Sequence, residues 1–387
     1  MFDISIFNKL SEKGLERFDE RSYCLSKEAL SSCNGIVLRS YNLNSVDFPK
    51  SLLGIARAGA GYNNIPVEPC TQSGIVVFNT PGANANSVME LTLLALLLSS
   101  RQVYPGMRWA QELTGSVAAD VEKGKSKFAG PEIYGKTLAV IGLGAIGVKV
   151  ANVGIKMGMK VIGYDPYMSF KRALGLSWDV DYADSLDAVF SKADYVSLHI
   201  PLMDKTKGFM GAENIANMKP GSRLINMSRG GLVDTESVIS ALESGHISAY
   251  ATDFPDEKLL NCDKALCIPH LGASTPESEE NCAVMAVDQL KDFLENGNIV
   301  NSVNFPTCTM ERTNGRKRLT IMNNNVPNMI GSFTHVLAKH KINIGDMINK
   351  SSGAYAYNII DVETEVTPEV LSELQTIEGI IRVRLID

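Results

Sequence analysis

The chain has 387 residues, 45% of them hydrophobic and 21% charged, with a formal net charge of −6 from 37 basic and 43 acidic side chains. This length is a prior for two or three domains and is enough to build cores without disulfide or metal staples. The composition argues against a disordered, collagenous or coiled-coil chain, and the acidic balance against a protein that coats nucleic acid or an anionic membrane.

The seven cysteines, Cys24, Cys33, Cys70, Cys262, Cys267, Cys282 and Cys308, are scattered and form no C-x-x-C pair. Reduced thiols, no metal site and a cytoplasmic location are the expectation. The N-terminal stretch has neither the basic start nor the apolar core of a signal peptide. In chain order, Gly35–Leu38, Leu53–Ala56 and Gly74–Phe78 read as buried strands. Leu91–Leu98 is too short for the roughly 20 residues of a membrane span and reads as a buried helix, entered through a Ser87-x-x-Glu90 capping box. Lys136–Ile141 opens a second series, continued by Val161–Tyr164, Tyr195–Leu198, Leu224–Asn226 and Ala249–Ala251. Strands that alternate with helical stretches imply two parallel α/β units, joined near residue 100. Residues 305–315 lack periodicity and read as a linker. Beyond them the order is strand, helix, strand, strand, helix, strand, the βαββαβ of a ferredoxin-like fold.

Gly142-Leu143-Gly144-Ala145-Ile146-Gly147 follows a strand and opens a helix. Gly142 allows the tight turn, Gly144 lets the backbone approach a pyrophosphate, and Gly147 lets helix and strand pack closely. The helix N-terminus offers free N–H groups to the phosphates. Asp165 lies 23 residues after Gly142, where an acid takes the ribose hydroxyls and repels an extra phosphate, so NAD is expected over NADP. Hydride chemistry on a hydroxy acid also needs a base, a cation for the carboxylate and developing carbonyl, and a group that tunes the base. Arg229 follows a strand within Asn226–Asp234, and the later loops hold Asp253-Phe254-Pro255-Asp256-Glu257 and Pro269-His270-Leu271-Gly272. His246, His335 and His340 follow helical patterns and read as surface residues.

These motifs, with Arg57-Ala58-Gly59-Ala60-Gly61, Asn79-Thr80-Pro81 and His199-Ile200-Pro201-Leu202, occur in an order that resembles the D-isomer-specific 2-hydroxyacid dehydrogenases over nearly the whole chain. The resemblance implies a catalytic trio of Arg229, Glu257 and His270, with Asp256 as the second choice of acid. It implies NAD contacts from Thr80, the glycine loop with Ala145 and Ile146, Asp165, His199, Pro201, Met227, Ser228, Asp253, Gly272 and Ala273. It also implies a substrate-binding domain at 1–98 and 276–304, an NAD-binding Rossmann domain at 99–275 and a regulatory domain at 316–387.

For the substrate, the backbone of Gly59, Ala60 and Gly61 is expected to meet the carboxylate. By resemblance Arg57 and Arg39 would bind a phosphate, and Lys125 or Lys127 would reach a neighbouring subunit's site. The implied reaction is oxidation of 3-phosphoglycerate, the first step of L-serine biosynthesis. The alternatives are reduction of glyoxylate, hydroxypyruvate or 2-oxoglutarate, or a dinucleotide-sensing interaction protein on the same fold. The tail resembles an ACT domain, which implies an L-serine effector at Asn325 and Asn343, with Asn323 and Asn328 departing from the usual residues, and a homodimer or homotetramer.

Overall fold

The computed structural model describes residues 1–313 and 315–386. They divide into two compact units, one made of Met1–Ala83 and the chain from Pro276 onward, the other of Asn84–Thr275. The division falls before the helix Ala85–Ser100 rather than near residue 100. That helix buries Val88, Ala95 and Leu96 in one cluster with Leu138, Val140 and Ala151 of the second unit. It also starts two residues before Ser87, so Ser87 caps nothing: its hydroxyl donates to the Asn84 carbonyl, and Glu90 accepts from Asn86.

The first unit opens with a parallel sheet of β1 (Phe2–Ile6), β2 (Tyr23–Lys27), β3 (Gly35–Leu38), β4 (Gly54–Arg57) and β5 (Val76–Phe78), in the order β2-β1-β3-β4-β5. β3 and β5 are buried at every residue, which is why they read as unbroken apolar runs rather than as alternation. The helix Pro276–Asn296 returns to this sheet and lays Leu290 and Phe293 over it. A Cβ on Gly54 would stand 3.0 Å from the Leu290 side chain, so these small strand residues let the helix approach.

The second unit is a seven-stranded parallel sheet of β6 (Thr137–Ile141), β7 (Lys160–Tyr164), β8 (Val180–Tyr182), β9 (Tyr195–Leu198), β10 (Ser222–Asn226), β11 (Ile247–Thr252) and β12 (Ala265–Cys267). Its order, β12-β11-β10-β9-β6-β7-β8, reverses direction at β6, so the switch point of a doubly wound fold lies between β6 and β9. The three-residue strands β8 and β12 are too short to show in the sequence pattern.

The tail is an antiparallel sheet of β13 (Lys317–Asn324), β14 (Ile344–Ser352), β15 (Tyr355–Val362) and β16 (Ile380–Ile386), in the order β14-β15-β13-β16. The helices Met329–Lys339 and Pro368–Gln375 cover one face, packing Phe333, Leu337 and Leu374 on Leu319, Ile321 and Ile360. The other face sends Met322, Tyr357 and Ile359 into the core that holds Leu290, Phe293 and Leu294. The tail and the first sheet thus share one core. The linker expected at 305–315, of which Asn314 lies outside the described residues, is packed rather than loose: Phe305 and Cys308 are buried, and Cys308 bridges Ile299. Pro, Gly and Thr report local backbone preference and carry no sign of this burial.

Arg318, fully buried on β13, joins these parts. Its Nε and Nη2 hold both oxygens of Asp361 at 2.7 and 2.9 Å, Nη1 donates to the carbonyls of Asn296 and Met310, and Nη2 also donates to that of Glu311. Arg318→Leu would leave a buried carboxylate and three partly buried carbonyls without this partner. The expected loss in equilibrium urea unfolding is about 3–5 kcal/mol. Arg318→Met combined with Asp361→Leu should recover part of it, and a loss below about 1 kcal/mol would place the joint elsewhere.

Candidate functional site

The glycine loop forms at the end of β6. Gly142 has φ +93°, and a Cβ there would stand 2.7 Å from the His199 carbonyl oxygen. Any side chain on Gly147 would collide with the Gly142 carbonyl. Gly144 is different, since nothing lies within 4 Å of its Cβ position. That open space adjoins the start of the helix Ala145–Lys156, where the first-turn N–H groups of Ala145 and Ile146 have no intrahelical acceptor. Asp165, just after β7, accepts from the Leu143 N–H at 2.9 Å and from the Tyr167 N–H at 2.8 Å, so loop and acid fix each other. An open glycine, a helix N-terminus and an anchored carboxylate at the switch point fit a dinucleotide.

His199 ends β9, with exposed Pro201 beyond it. Its Nε2 lies 2.9 Å from Ser197 Oγ, while Nδ1 is buried without a partner. Burial pulls its pKa down to about 3, so the imidazole stays neutral.

The ends of β10, β11 and β12 supply the reactive groups. Asn226 closes β10: its Oδ1 accepts from the N–H groups of Ser228 and Arg229, and its Nδ2 donates to the Arg229 carbonyl. This turn presents Arg229 exposed while Met227 and Ser228 stay buried, the Ser228 hydroxyl donating to the Leu198 carbonyl. Asn226 is fully buried and positions Arg229, a role that an asparagine at a strand end signals only weakly. Asp253 follows β11 and is 1% exposed. Its Oδ2 accepts from the Gly272 N–H at 3.2 Å, its Oδ1 has no partner among the described residues, and Ala273 follows half-buried. Burial pushes its carboxyl upward, opposed by the Gly272 N–H and by the charges of His270 and Arg229. Asp253 is thus the buried carboxyl group on which Arg229 and His270 both bear. The unpartnered Oδ1 suits an amide donor such as the nicotinamide carboxamide.

His270 is exposed, at φ +42°, with its N–H on the Asp253 carbonyl and its ring 4.7 Å from that of Phe254. Glu257 is exposed, its carbonyl accepting from Asn261, and no hydrogen bond or ion pair joins it to His270 among the described residues. Asp256 is occupied: it accepts from the Thr235 hydroxyl at 2.6 Å and from the N–H groups of Lys258 and Leu259. Burial opposes its ionisation, but these bonds hold it below the usual carboxylate range. Asp256 therefore anchors the loop.

In the first unit, Arg39 and Arg57 end β3 and β4. Arg57 Nε donates to the Arg39 carbonyl at 3.1 Å, and its guanidinium lies across Gly59 so closely that a side chain there would collide. The Gly59 carbonyl accepts from the Thr80 N–H, the Ala60 carbonyl accepts from Asn79, and Gly61 is half-buried. Thr80 itself is fully buried beside the Cys282 thiol, which burial pushes up. Arg39 pairs with Glu279 at 2.6 Å, a partner the sequence did not single out because an acid in a first helical turn reads as solvated. Lys125, in the second unit, is exposed and pairs with Glu122 at 2.5 Å.

The tail asparagines do not share a site within one chain. Asn323 is buried, its Oδ1 accepting from Asn358, which in turn accepts from Asn349, so it is part of a side-chain ladder across the sheet rather than an exposed ligand. Asn325 bonds the Gly353 carbonyl and Asn343 bonds Glu363, at opposite ends of the sheet. Asn328 has φ +69°, the conformation that glycine usually supplies.

Comparison with known proteins shows the family. Residues 93–272 match the family model described as D-isomer specific 2-hydroxyacid dehydrogenase, NAD binding domain. The chain is 31% identical over 377 residues to a D-3-phosphoglycerate dehydrogenase of Haemophilus influenzae, covering 93% of this chain and 88% of that one. It is 35% identical over 294 residues to one of Methanocaldococcus jannaschii, where the match spans about half (54%) of the relative's length and 74% of this chain. The NAD+-bound 3-phosphoglycerate dehydrogenase of Entamoeba histolytica has a similar structure, with a TM-score of 0.61 at 26% identity, covering 78% of this chain and 98% of that one.

A neutral His199 has a stability signature. Its folded pKa lies below the unfolded value of 6.5, so its contribution is complete above pH 6.5 and is lost as pH falls. Urea unfolding between pH 7.5 and 5.5 should show a slope of up to about 1.4 kcal/mol per pH unit that His199→Asn removes. An unchanged slope in the variant would mean that the imidazole is solvated.

Proposed function

Because the chain belongs to the D-isomer-specific 2-hydroxyacid dehydrogenases, we propose that it catalyses the NAD-dependent oxidation of 3-phosphoglycerate to 3-phosphohydroxypyruvate, the first step of L-serine biosynthesis. The observation that carries this reading is that Arg229, set by the Asn226 turn, and His270, whose N–H bonds the carbonyl of buried Asp253, stand at the carboxyl ends of neighbouring strands. The glycine loop with Ala145 and Ile146, together with Asp165, would hold NAD, which when bound would supply the acceptor for the C2 hydride. His270 takes the proton of the C2 hydroxyl, and in reverse returns it. Arg229 pairs with the carboxylate and polarises the C2 oxygen, a task suited to a planar, permanently charged fork. Glu257 is the acid available to orient His270, because Asp256 is already occupied by the loop. Arg57 and Arg39 supply the cations for the phosphate, and Gly59, Ala60 and Gly61 the backbone for the carboxylate.

Around this chemistry we place the cytoplasm as the compartment and a homodimer or homotetramer as the working form. Support for the first is seven free cysteines, and no helix among the described residues is long and apolar enough to cross a membrane. The tail is read as an ACT-like module. With Asn325 and Asn343 at opposite ends of its sheet, an L-serine site that uses both would need two chains.

The purified full chain should produce NADH from 3-phosphoglycerate, with NADP a poor substitute because Asp165 occupies the ribose end of the site. His270→Asn should lower kcat by about 10²–10⁴. NADH formation that survives this change, or turnover of glyoxylate or 2-oxoglutarate with none of 3-phosphoglycerate, would reject the assignment.

A further inference from the structure

Arg39, assigned to the substrate phosphate above, already holds an anion. Glu279 Oε1 lies 2.6 Å from its Nη1, the one nitrogen of that guanidinium with a partner among the described residues. The backbone beneath is rigid. Asn8, at φ +68°, offers one side-chain oxygen to the N–H groups of Arg39, Ser40 and Tyr41 at 3.3, 2.9 and 2.8 Å. Asn64 Nδ2 donates to the Tyr41 carbonyl at 2.7 Å, and Arg57 leans on the Arg39 carbonyl. Glu279 stands in the first turn of Pro276–Asn296, where the helix end favours a negative charge whether or not the ion pair is made. One turn on, Cys282 feels the charges of both Arg57 and Arg39, so the two cations converge on this face of the helix.

We propose that Glu279 is a specificity-determining residue, an internal competitor whose carboxylate must be displaced from Arg39 before an anion can bind there. The Arg39 and Glu279 side chains are 39% and 47% exposed, so the pair is open to solutes and is weak on its own. A phosphate dianion has more charge and three strong acceptor oxygens, enough for two parallel bonds to a guanidinium, against the single bond that Glu279 makes. A monoanion has no such advantage over the resident carboxylate and is turned away. The pairing thus favours phosphorylated over unphosphorylated hydroxy acids by occupying the site rather than by shaping it.

This rests on the reading of Arg39 as a phosphate ligand, so the test includes a binding arm that needs no turnover. The full chain and its Glu279→Gln variant are titrated with inorganic phosphate at pH 8 and with nitrate, at an ionic strength fixed with chloride, and followed by thermal unfolding. Glu279→Gln should bind phosphate up to about fivefold more tightly, the scale of one exposed ion pair, and should bind nitrate where the parent does not. Arg39→Gln should abolish that gain in the double variant. The KM for 3-phosphoglycerate should fall in parallel in Glu279→Gln. Phosphate binding no tighter in Glu279→Gln than in the parent, or a gain that persists without Arg39, overturns the proposal. A parent enzyme that produces no NADH from 3-phosphoglycerate instead overturns the substrate assignment and leaves the titration to decide on Glu279.

Discussion

The helix Pro276–Asn296 is the constraint on which the first unit depends. Its 21 residues span about 30 Å at 1.5 Å per residue, and every part of that length has work to do. Leu290 and Phe293 cover the small strand residues Gly35 and Gly54. At the C-terminal end, the carbonyls of Phe293 and Leu294 accept from Arg384, that of Glu295 from Arg312, and that of Asn296 from Arg318. Three guanidinium groups therefore bond the last four carbonyls of the helix, of which only that of Phe293 also accepts a backbone N–H, from Gly297, among the described residues, and they place positive charge where the helix dipole is negative. Burial lowers the Arg384 pKa to about 10, which still leaves it charged at neutral pH. At the other end, Glu279 holds Arg39. The tail and the arginine pair thus sit on opposite ends of one rigid element.

The second unit obeys a different constraint, the need to keep polar groups in a defined state where water is excluded. His199 is held neutral, Asp253 is pushed toward its neutral form, and the charges of Arg229 and His270 oppose that push. In a medium of low dielectric constant such opposition is stronger than it would be in water. Asn226 and Asp256 do the positioning, one by closing the turn under Arg229 and the other by pinning the loop that carries Glu257. The groups that face outward, Arg229, Glu257 and His270, are left with few bonds of their own.

Much of this was legible in the sequence because it is local. The glycine loop and Asp165 announce their geometry within 24 residues, and all six tail elements follow from hydrophobic periodicity to within two residues at most ends. The rest depends on contacts between distant segments. Nothing near Ala85 says which core its helix will join. Nothing in the stretch around Phe305 and Cys308 says that it will be covered by a sheet formed later in the chain. Resemblance alone sets Asn323 among the effector residues, yet β13 is buried on both faces and its amide is matched by Asn358. Glu279 has the opposite problem. An exposed acid in a first helical turn carries no local sign that an arginine from β3 will meet it.

The charge balance of the tail has a structural cause of the same kind. Arg316 pairs with Asp346 and Glu363, Arg318 with Asp361, and Lys339 and His340 share Glu373, so acids and bases there are used against each other. Arg382 and Arg384 have no acid partner among the described residues and are instead bonded to backbone carbonyls of loops beside the first sheet, at Lys50, Leu52 and Gly74, and of its helix, at Phe293 and Leu294. Those two arginines convert cations of the tail into attachment points on the body of the unit. In the first sheet the arginines are used in both ways at once: Arg39 pairs with an acid, Glu279, while Arg57 is braced on a backbone carbonyl, that of Arg39.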